Sequence, residues 1–167
     1  MNLHNIQLMF NYNYWANGKI LASTSKVTEE QLHTPADYPY GGLHGTLLHI
    51  VDAELIWRIL FETQSFSNYV ELKAEDVSTH ELLAKKFHEE EASMRAYLAS
   101  LKDEDMNGHL IYQTDGGLTR DRILWHCFYH LINHGTQHRA EAAAMLTSYG
   151  QSPGDLDFTV FLNENPS

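Results

Sequence analysis

The chain has 167 residues, of which 43% are apolar and 20% charged, as is typical of one ordinary globular domain. Its 11 Lys and Arg against 22 Asp and Glu give a formal charge of −11, and because the basic residues are scattered, no nucleic-acid partner is expected. With a single cysteine, no signal-peptide pattern and no apolar run of ~20 residues, we expect a cytoplasmic single domain over residues 1–167 that forms no disulfide and binds no membrane.

Apolar residues at three- and four-residue spacing predict a first helix from about Ile6 to Ser25. A second follows Gly41-Gly42 and runs to about Phe61; it is apolar on most sides, as expected of a buried central helix. A third opens at Ser78, where Ser78-x-x-Glu81 is typical of a capping box. The segment 64–77 lacks periodicity, which predicts a long connection that crosses the bundle.

The stretch 110–118 contains Asp115-Gly116, which predicts a tight turn with a short strand on either side. The fourth predicted helix begins near Thr119 and ends at Gly150, a suitable C-terminal stop. The fold class is therefore all-α. We predict an up-down four-helix bundle with a long crossover connection, a short hairpin-like turn before the last helix and a short C-terminal extension.

Histidines recur every four residues in the fourth predicted helix, at His126, His130, His134 and His138. On a helical wheel the last three share one stripe, and His126 falls outside it. Imidazoles that face a bundle core are costly unless each ring nitrogen finds a partner, and a divalent metal ion meets that need. The stripe predicts a metal site in which His134 pairs with either His130 or His138.

The third ligand is expected from another helix. His49 is the best candidate because it lies in the middle of the second predicted helix, on a face of small and apolar residues. Asp52, one turn along, is a carboxylate that could orient it. His44 is the competitor, but its place in the first helical turn predicts an exposed side chain.

Two known metal motifs do not fit. The run His134-Gly135-Thr136-Gln137-His138 has glycine where the H-E-x-x-H metalloproteases have their general base. The di-iron pattern does not fit either, since it needs a Glu-x-x-His motif from each of two helices and two further glutamates. We therefore predict one mononuclear three-histidine site with a position open to water or substrate.

Four segments together resemble the DinB-like superfamily of metal-binding four-helix bundles, and the likeness covers nearly the whole chain. The second-helix and fourth-helix segments contain the histidines described above. The segments are Tyr14-Trp15-Ala16-Asn17, the stretch 47–54 (LLHIVDAE), the stretch 130–139 (HLINHGTQHR) and the tail 152–157 (SPGDLD).

The resemblance implies that the metal ligands are His49, His134 and His138, with His130 beside the site. It also implies one divalent ion, most often zinc or nickel, and a homodimer. Relatives include thiol-dependent transferases or isomerases that use bacillithiol, mycothiol or glutathione, and others described as metal-dependent hydrolases. Glu141 stands where many relatives have glutamine, which adds a carboxylate near the site.

The sequence therefore predicts a metal-dependent enzyme, a thiol-dependent S-transferase or a hydrolase, that acts on a small molecule. Glu141 and Asp52 are the candidates for proton transfer, and Trp15, Arg139 and His130 for binding a substrate or a low-molecular-weight thiol. The alternative is a non-catalytic metal-binding protein, structural or acting in a stress response, in which the ion only joins the second and fourth helices.

Overall fold

In the computed structural model, which describes residues 1–114 and 116–166, four long helices make up most of the chain and confirm the all-α class. They are α1 (Leu3–Thr24), α3 (Leu43–Thr63), α4 (His80–Ser100) and α5 (Leu124–Ser148). The short elements are helices α2 (Glu29–His33) and α6 (Phe158–Glu164), strands β1 (His109–Gln113) and β2 (Thr119–Ile123), and 3-10 turns at Ala74–Val77 and Asp103–Asn107.

The four long helices pack in a ring in which α1 contacts α5 and α4, and α3 contacts the same two helices. Helices α3 and α4 run parallel, because Arg58 pairs with Glu90 and, further along both helices, Tyr97 bonds to the carbonyl of Phe61. Helix α1 runs antiparallel to α4, and α3 runs antiparallel to α5. Helices α1 and α5 run parallel. The helices therefore run up, down, down and up.

The connection between α3 and α4 makes this order possible. After α3 ends, the chain runs back along it: Tyr69 and Leu72 bond to Asp52 in the middle of α3, and the carbonyl of Val77 accepts from His44 near its start. The predicted crossover is confirmed. It returns the chain to the end of the bundle where α3 began, so α4 starts there and points the same way.

Three helix starts differ from the prediction. Helix α1 begins at Leu3, three residues before the predicted start near Ile6. The cap of α4 is Thr79, whose hydroxyl accepts from the backbone N–H of Leu82, one residue after the predicted Ser78. Helix α5 begins at Leu124 rather than near Thr119, because residues 119–123 pair as β2 with β1 in antiparallel register. The hairpin is confirmed, while Asp115 at its predicted turn lies outside the described residues.

A small apolar cluster of Tyr12, Ala16 and Phe161 lies where α1 meets α6. Most of the apolar core, however, consists of two larger clusters at different heights in the bundle. One is rich in aromatic rings and includes Phe10, Phe61 and Phe128. The other is mostly aliphatic and includes Ile20, Leu47 and Leu146. Most of the polar residues described below lie on α1, α3 and α5 between the residues that form these two clusters. The functional candidates therefore occupy the middle of the bundle. Among the described residues, no helix is both long and apolar enough to span a membrane.

Candidate metal centre

The histidines of α3 and α5 converge where the two helices cross. His49, His134 and His138 each offer one ring nitrogen, and these atoms lie within 4.8 Å of one another. His49 Nε2 is 2.9 Å from His134 Nε2. We call these three residues the histidine triad. Since zinc–nitrogen bonds are ~2.0–2.1 Å, two ligands of one ion lie up to ~4 Å apart. The 4.8 Å spread of the triad is slightly larger, so small rotations of the rings would let all three nitrogens bind one metal ion.

Tyr40, in the loop before α3, covers one side of the triad. Its ring stacks on His49 with centroids 3.5 Å apart and meets the ring of His138 edge-on. Gly45 permits this approach, because a Cβ there would lie 2.0 Å from the Tyr40 carbonyl oxygen. Tyr40 itself is 42% exposed, so the triad lies close to solvent on this side.

The two predicted carboxylates occupy different positions relative to the triad. Glu141 Oε2 lies 2.8 Å from His138 Nδ1, one turn along α5, which leaves Nε2 of His138 for a ligand. Asp52 was expected to orient His49. Its hydrogen bonds instead come from the hydroxyl of Tyr69 and the backbone N–H of Leu72. Asp52 therefore anchors the crossover connection to α3.

Burial favours the neutral, metal-binding form of two triad members, His49 and His134. Desolvation, followed by the neighbouring His138, lowers the pKa of His49. The same causes, with contributions from His49 and His130, lower the pKa of His134 to about 4. Since a metal ion competes with protons for the imidazole nitrogen, these shifts favour metal binding at neutral pH.

A second polar cluster lies next to the triad on the same helices. We call Asn13, Tyr14, Asn17, Glu54 and Arg139 the buried polar layer, since none of them is more than 6% exposed. The amide of Asn13 bridges its two charged members, donating to Glu54 and accepting from Arg139. Tyr14 donates to the other oxygen of Glu54 at 2.6 Å, and Asn17 accepts from Arg139 at 3.0 Å.

Burial shifts the pKa values of the two ionisable residues Glu54 and Arg139 in opposite directions. Desolvation raises the pKa of Glu54 to about 7, although the hydrogen bond from Tyr14 opposes the rise. Desolvation lowers the pKa of Arg139 to about 10, so the guanidinium stays charged at neutral pH. Gly135 leaves room for this group, since a Cβ there would lie 2.8 Å from Arg139 Nη1.

The three residues predicted to bind a cofactor or substrate lie in three different places. Arg139 is 2% exposed and bonds to the polar layer, so its guanidinium faces the bundle interior rather than a ligand site. Trp15 donates to Glu164 and packs on Phe161, on the side of α1 that meets α6. Only His130 adjoins the triad, with its ring centroid 6.0 Å from that of His134.

The expected exposure of His44 is wrong. Its ring is buried, because the crossover connection passes over the first turn of α3 and the carbonyl of Val77 lies 2.8 Å from His44 Nε2. The ring also packs against His33 of α2.

Sequence reasoning missed Tyr40 and the roles of Asn13 and Glu54. A glutamate in a helix that is otherwise apolar is a recognisable signal for a buried pair, and Glu54 had that signal. Tyr40 had none, because stacking from a loop leaves no periodic pattern.

Comparison with known proteins shows similarity to one family over nearly the whole chain. The family model described as "DinB family" matches residues 1–166. The protein named "Protein DinB" from Bacillus subtilis (strain 168) is 26% identical over 159 residues, which cover 92% of this chain and 91% of that protein.

Proposed function

The chain belongs to the DinB family, and from this premise we propose that it is a divalent-metal-dependent enzyme whose single ion is held by His49, His134 and His138. The observation that carries the proposal is the convergence of three imidazole nitrogens from two helices within 4.8 Å. Three neutral nitrogen donors suit zinc or nickel, and they leave at least one coordination position for another ligand.

Such a centre would act on a nucleophile, water or a thiol, that is mostly protonated and therefore weakly reactive in neutral solution. When bound, a divalent ion acts as a Lewis acid that lowers the pKa of a water or thiol ligand. The proposed reactions are therefore thiol transfer from a low-molecular-weight thiol and hydrolysis of a small molecule. Both use the same open position.

The residues around the triad would hold it ready for this ligand. Glu141, 2.8 Å from Nδ1 of His138, would fix the tautomer and the orientation of that ring. Tyr40, stacked on His49, would restrict the second ring. Because the second oxygen of Glu141 accepts no hydrogen bond from the described residues, Glu141 is also the proposed proton acceptor, whereas Asp52 is committed to Tyr69 and Leu72.

The test is metal-dependent turnover. Wild type and His134→Ala are loaded with zinc or with nickel and assayed with glutathione plus 1-chloro-2,4-dinitrobenzene, and separately with a panel of esters and amides. The proposal expects turnover in at least one assay that chelation and His134→Ala both abolish. A wild type that binds one ion and gains thermal stability, yet matches His134→Ala in every assay, favours the non-catalytic alternative.

A further inference from the structure

A cleft of about 210 Å³ lies beside the triad and has no part in the site described so far. It is formed by α3, the hairpin and the first turns of α5. Its volume is about seven times the ~30 Å³ that one water molecule occupies in the liquid. Its lining residues are Trp57, Tyr112, Arg122, His126, Cys127 and His130.

The cleft adjoins the triad through His130. The His130 ring centroid lies 5.2 Å from that of Trp57 and 6.0 Å from that of His134. A small molecule that lies against Trp57 and His130 would therefore end next to His134. Its bulk would lie in the cleft and its reacting end at the triad.

Arg122 gives the cleft a positive charge. Its Nε donates to the hydroxyl of Tyr112, and among the described residues no carboxylate lies within ion-pair distance of it. Arg58 and Arg95, by contrast, pair with glutamates, and Asp121, adjacent to Arg122 in β2, pairs with His109. In a chain of net charge −11, a cation without an acidic partner in a cleft is suited to an anionic ligand.

The other walls of the cleft contain aromatic rings and the Cys127 thiol. Trp57 presents a partly buried indole ring, and Cys127 is 1% exposed. Desolvation raises the pKa of the Cys127 thiol, which therefore stays neutral despite the nearby Arg122. A planar apolar group can lie against Trp57 while a carboxylate reaches Arg122.

We propose that this cleft binds the non-reacting part of the substrate, and that this part is a small aromatic carboxylate held by Arg122 and Trp57. Its role in turnover depends on the proposed function, since only the neighbouring triad would make the bound molecule a substrate. Binding itself does not depend on it, because no cleft residue belongs to the triad.

The experiment measures binding of benzoate and of its neutral analogue benzamide to metal-free protein, by saturation-transfer difference NMR. Metal-free protein prevents benzoate from binding to an ion and separates this test from failure of the metal site. The variants are Arg122→Gln and the matched control Arg120→Gln, two residues earlier on β2 and also exposed.

A charge-assisted contact at this exposed position predicts that Arg122→Gln weakens benzoate binding by at least about fivefold, while Arg120→Gln changes it less than about twofold. Benzamide should bind wild type as weakly as benzoate binds Arg122→Gln. Equal binding of benzoate and benzamide by wild type would overturn the proposal, as would equal losses in the two variants or no benzoate binding at all.

Discussion

Helices α3 and α5 each contribute to two polar clusters, the histidine triad and the buried polar layer, and these clusters satisfy their polar atoms in opposite ways. In the layer, the charges of Glu54 and Arg139 are joined through Asn13 and supported by Tyr14 and Asn17. In the triad, the Nε2 atoms of His49 and His134 face each other. Among the described residues, no other protein group forms a hydrogen bond with these two nitrogens.

The difference separates stability from function on the same pair of helices. A buried network whose members all have partners fixes the packing of α1, α3 and α5 and offers nothing to a ligand. A group of ring nitrogens without protein partners costs stability unless a ligand arrives. Adjacent residues, such as His138 and Arg139, can therefore have unrelated roles.

The largest expected effect is in the layer. Arg139→Met removes the charge that faces Glu54 through Asn13, and it should lower the free energy of unfolding by about 3 kcal/mol or more. Urea unfolding measures this. Arg120→Met is the control, because Arg120 is exposed on β2, outside the layer, and replacing such a surface residue usually changes stability by about 0.5 kcal/mol or less. Equal losses in the two variants would show that the layer does not stabilise the bundle.

The pH dependence of stability tests the charge state of Glu54. Burial raises its pKa from 4.5 to about 7 in the folded chain, so between these values the folded state binds more protons than the unfolded state. Stability should therefore fall as pH rises from about 4.5 to 7, by about 3 kcal/mol relative to Glu54→Gln. Unfolding of both proteins across this range measures the difference, and a constant difference would contradict the account.

The histidine triad, unlike the buried polar layer, should contribute little to stability until a metal ion binds. Without metal, His134→Ala should change the free energy of unfolding by less than about 1 kcal/mol, since among the described residues the ring bonds to no group but another histidine. Free zinc at a hundred times its dissociation constant should stabilise wild type by about 2.7 kcal/mol and leave His134→Ala unchanged. Thermal unfolding with and without zinc checks both points. Equal zinc stabilisation of the two proteins would place the ion elsewhere.

A smaller effect is expected where Tyr40 meets the triad. Gly45→Ala would place a Cβ against the Tyr40 carbonyl and should cost about 1–3 kcal/mol while weakening metal binding. Gly18→Ala is the matched control. Gly18 lies exposed within α1, and in the described part of the chain no atom outside its own helical turn would lie within 4 Å of its Cβ, so the helix should gain about 0.5–1 kcal/mol. Urea unfolding and zinc titration measure both variants, and zinc affinity unchanged by Gly45→Ala would argue against a role for Tyr40.

Periodic features of the fold could be predicted from the sequence because they depend on local rules. The spacing of apolar residues locates four helices, and the break over 64–77 locates the crossover. Starts were less predictable: Ser78 and Thr79 are both good caps, and residues 119–123 form a strand only because β1 is available to pair with them.

The site depends on contacts that spacing alone does not determine. Helical periodicity places His130, His134 and His138 on one stripe, but the position of α3 decides which of them meet His49. The partners of Asp52 and Arg139 come from the crossover connection and from α1, so their roles follow from packing between elements that are distant in the sequence.

The central claim is that His49, His134 and His138 hold one ion and that His130, on the same stripe, does not. Elemental analysis of the purified, tag-free protein after zinc or nickel loading and dialysis tests it most directly, beside His49→Ala, His138→Ala and His130→Ala. The account predicts about one ion per chain in wild type and His130→Ala, and almost none in the other two. A wild type that stays empty, or a His130→Ala variant that loses its ion as fully as His138→Ala, would contradict it.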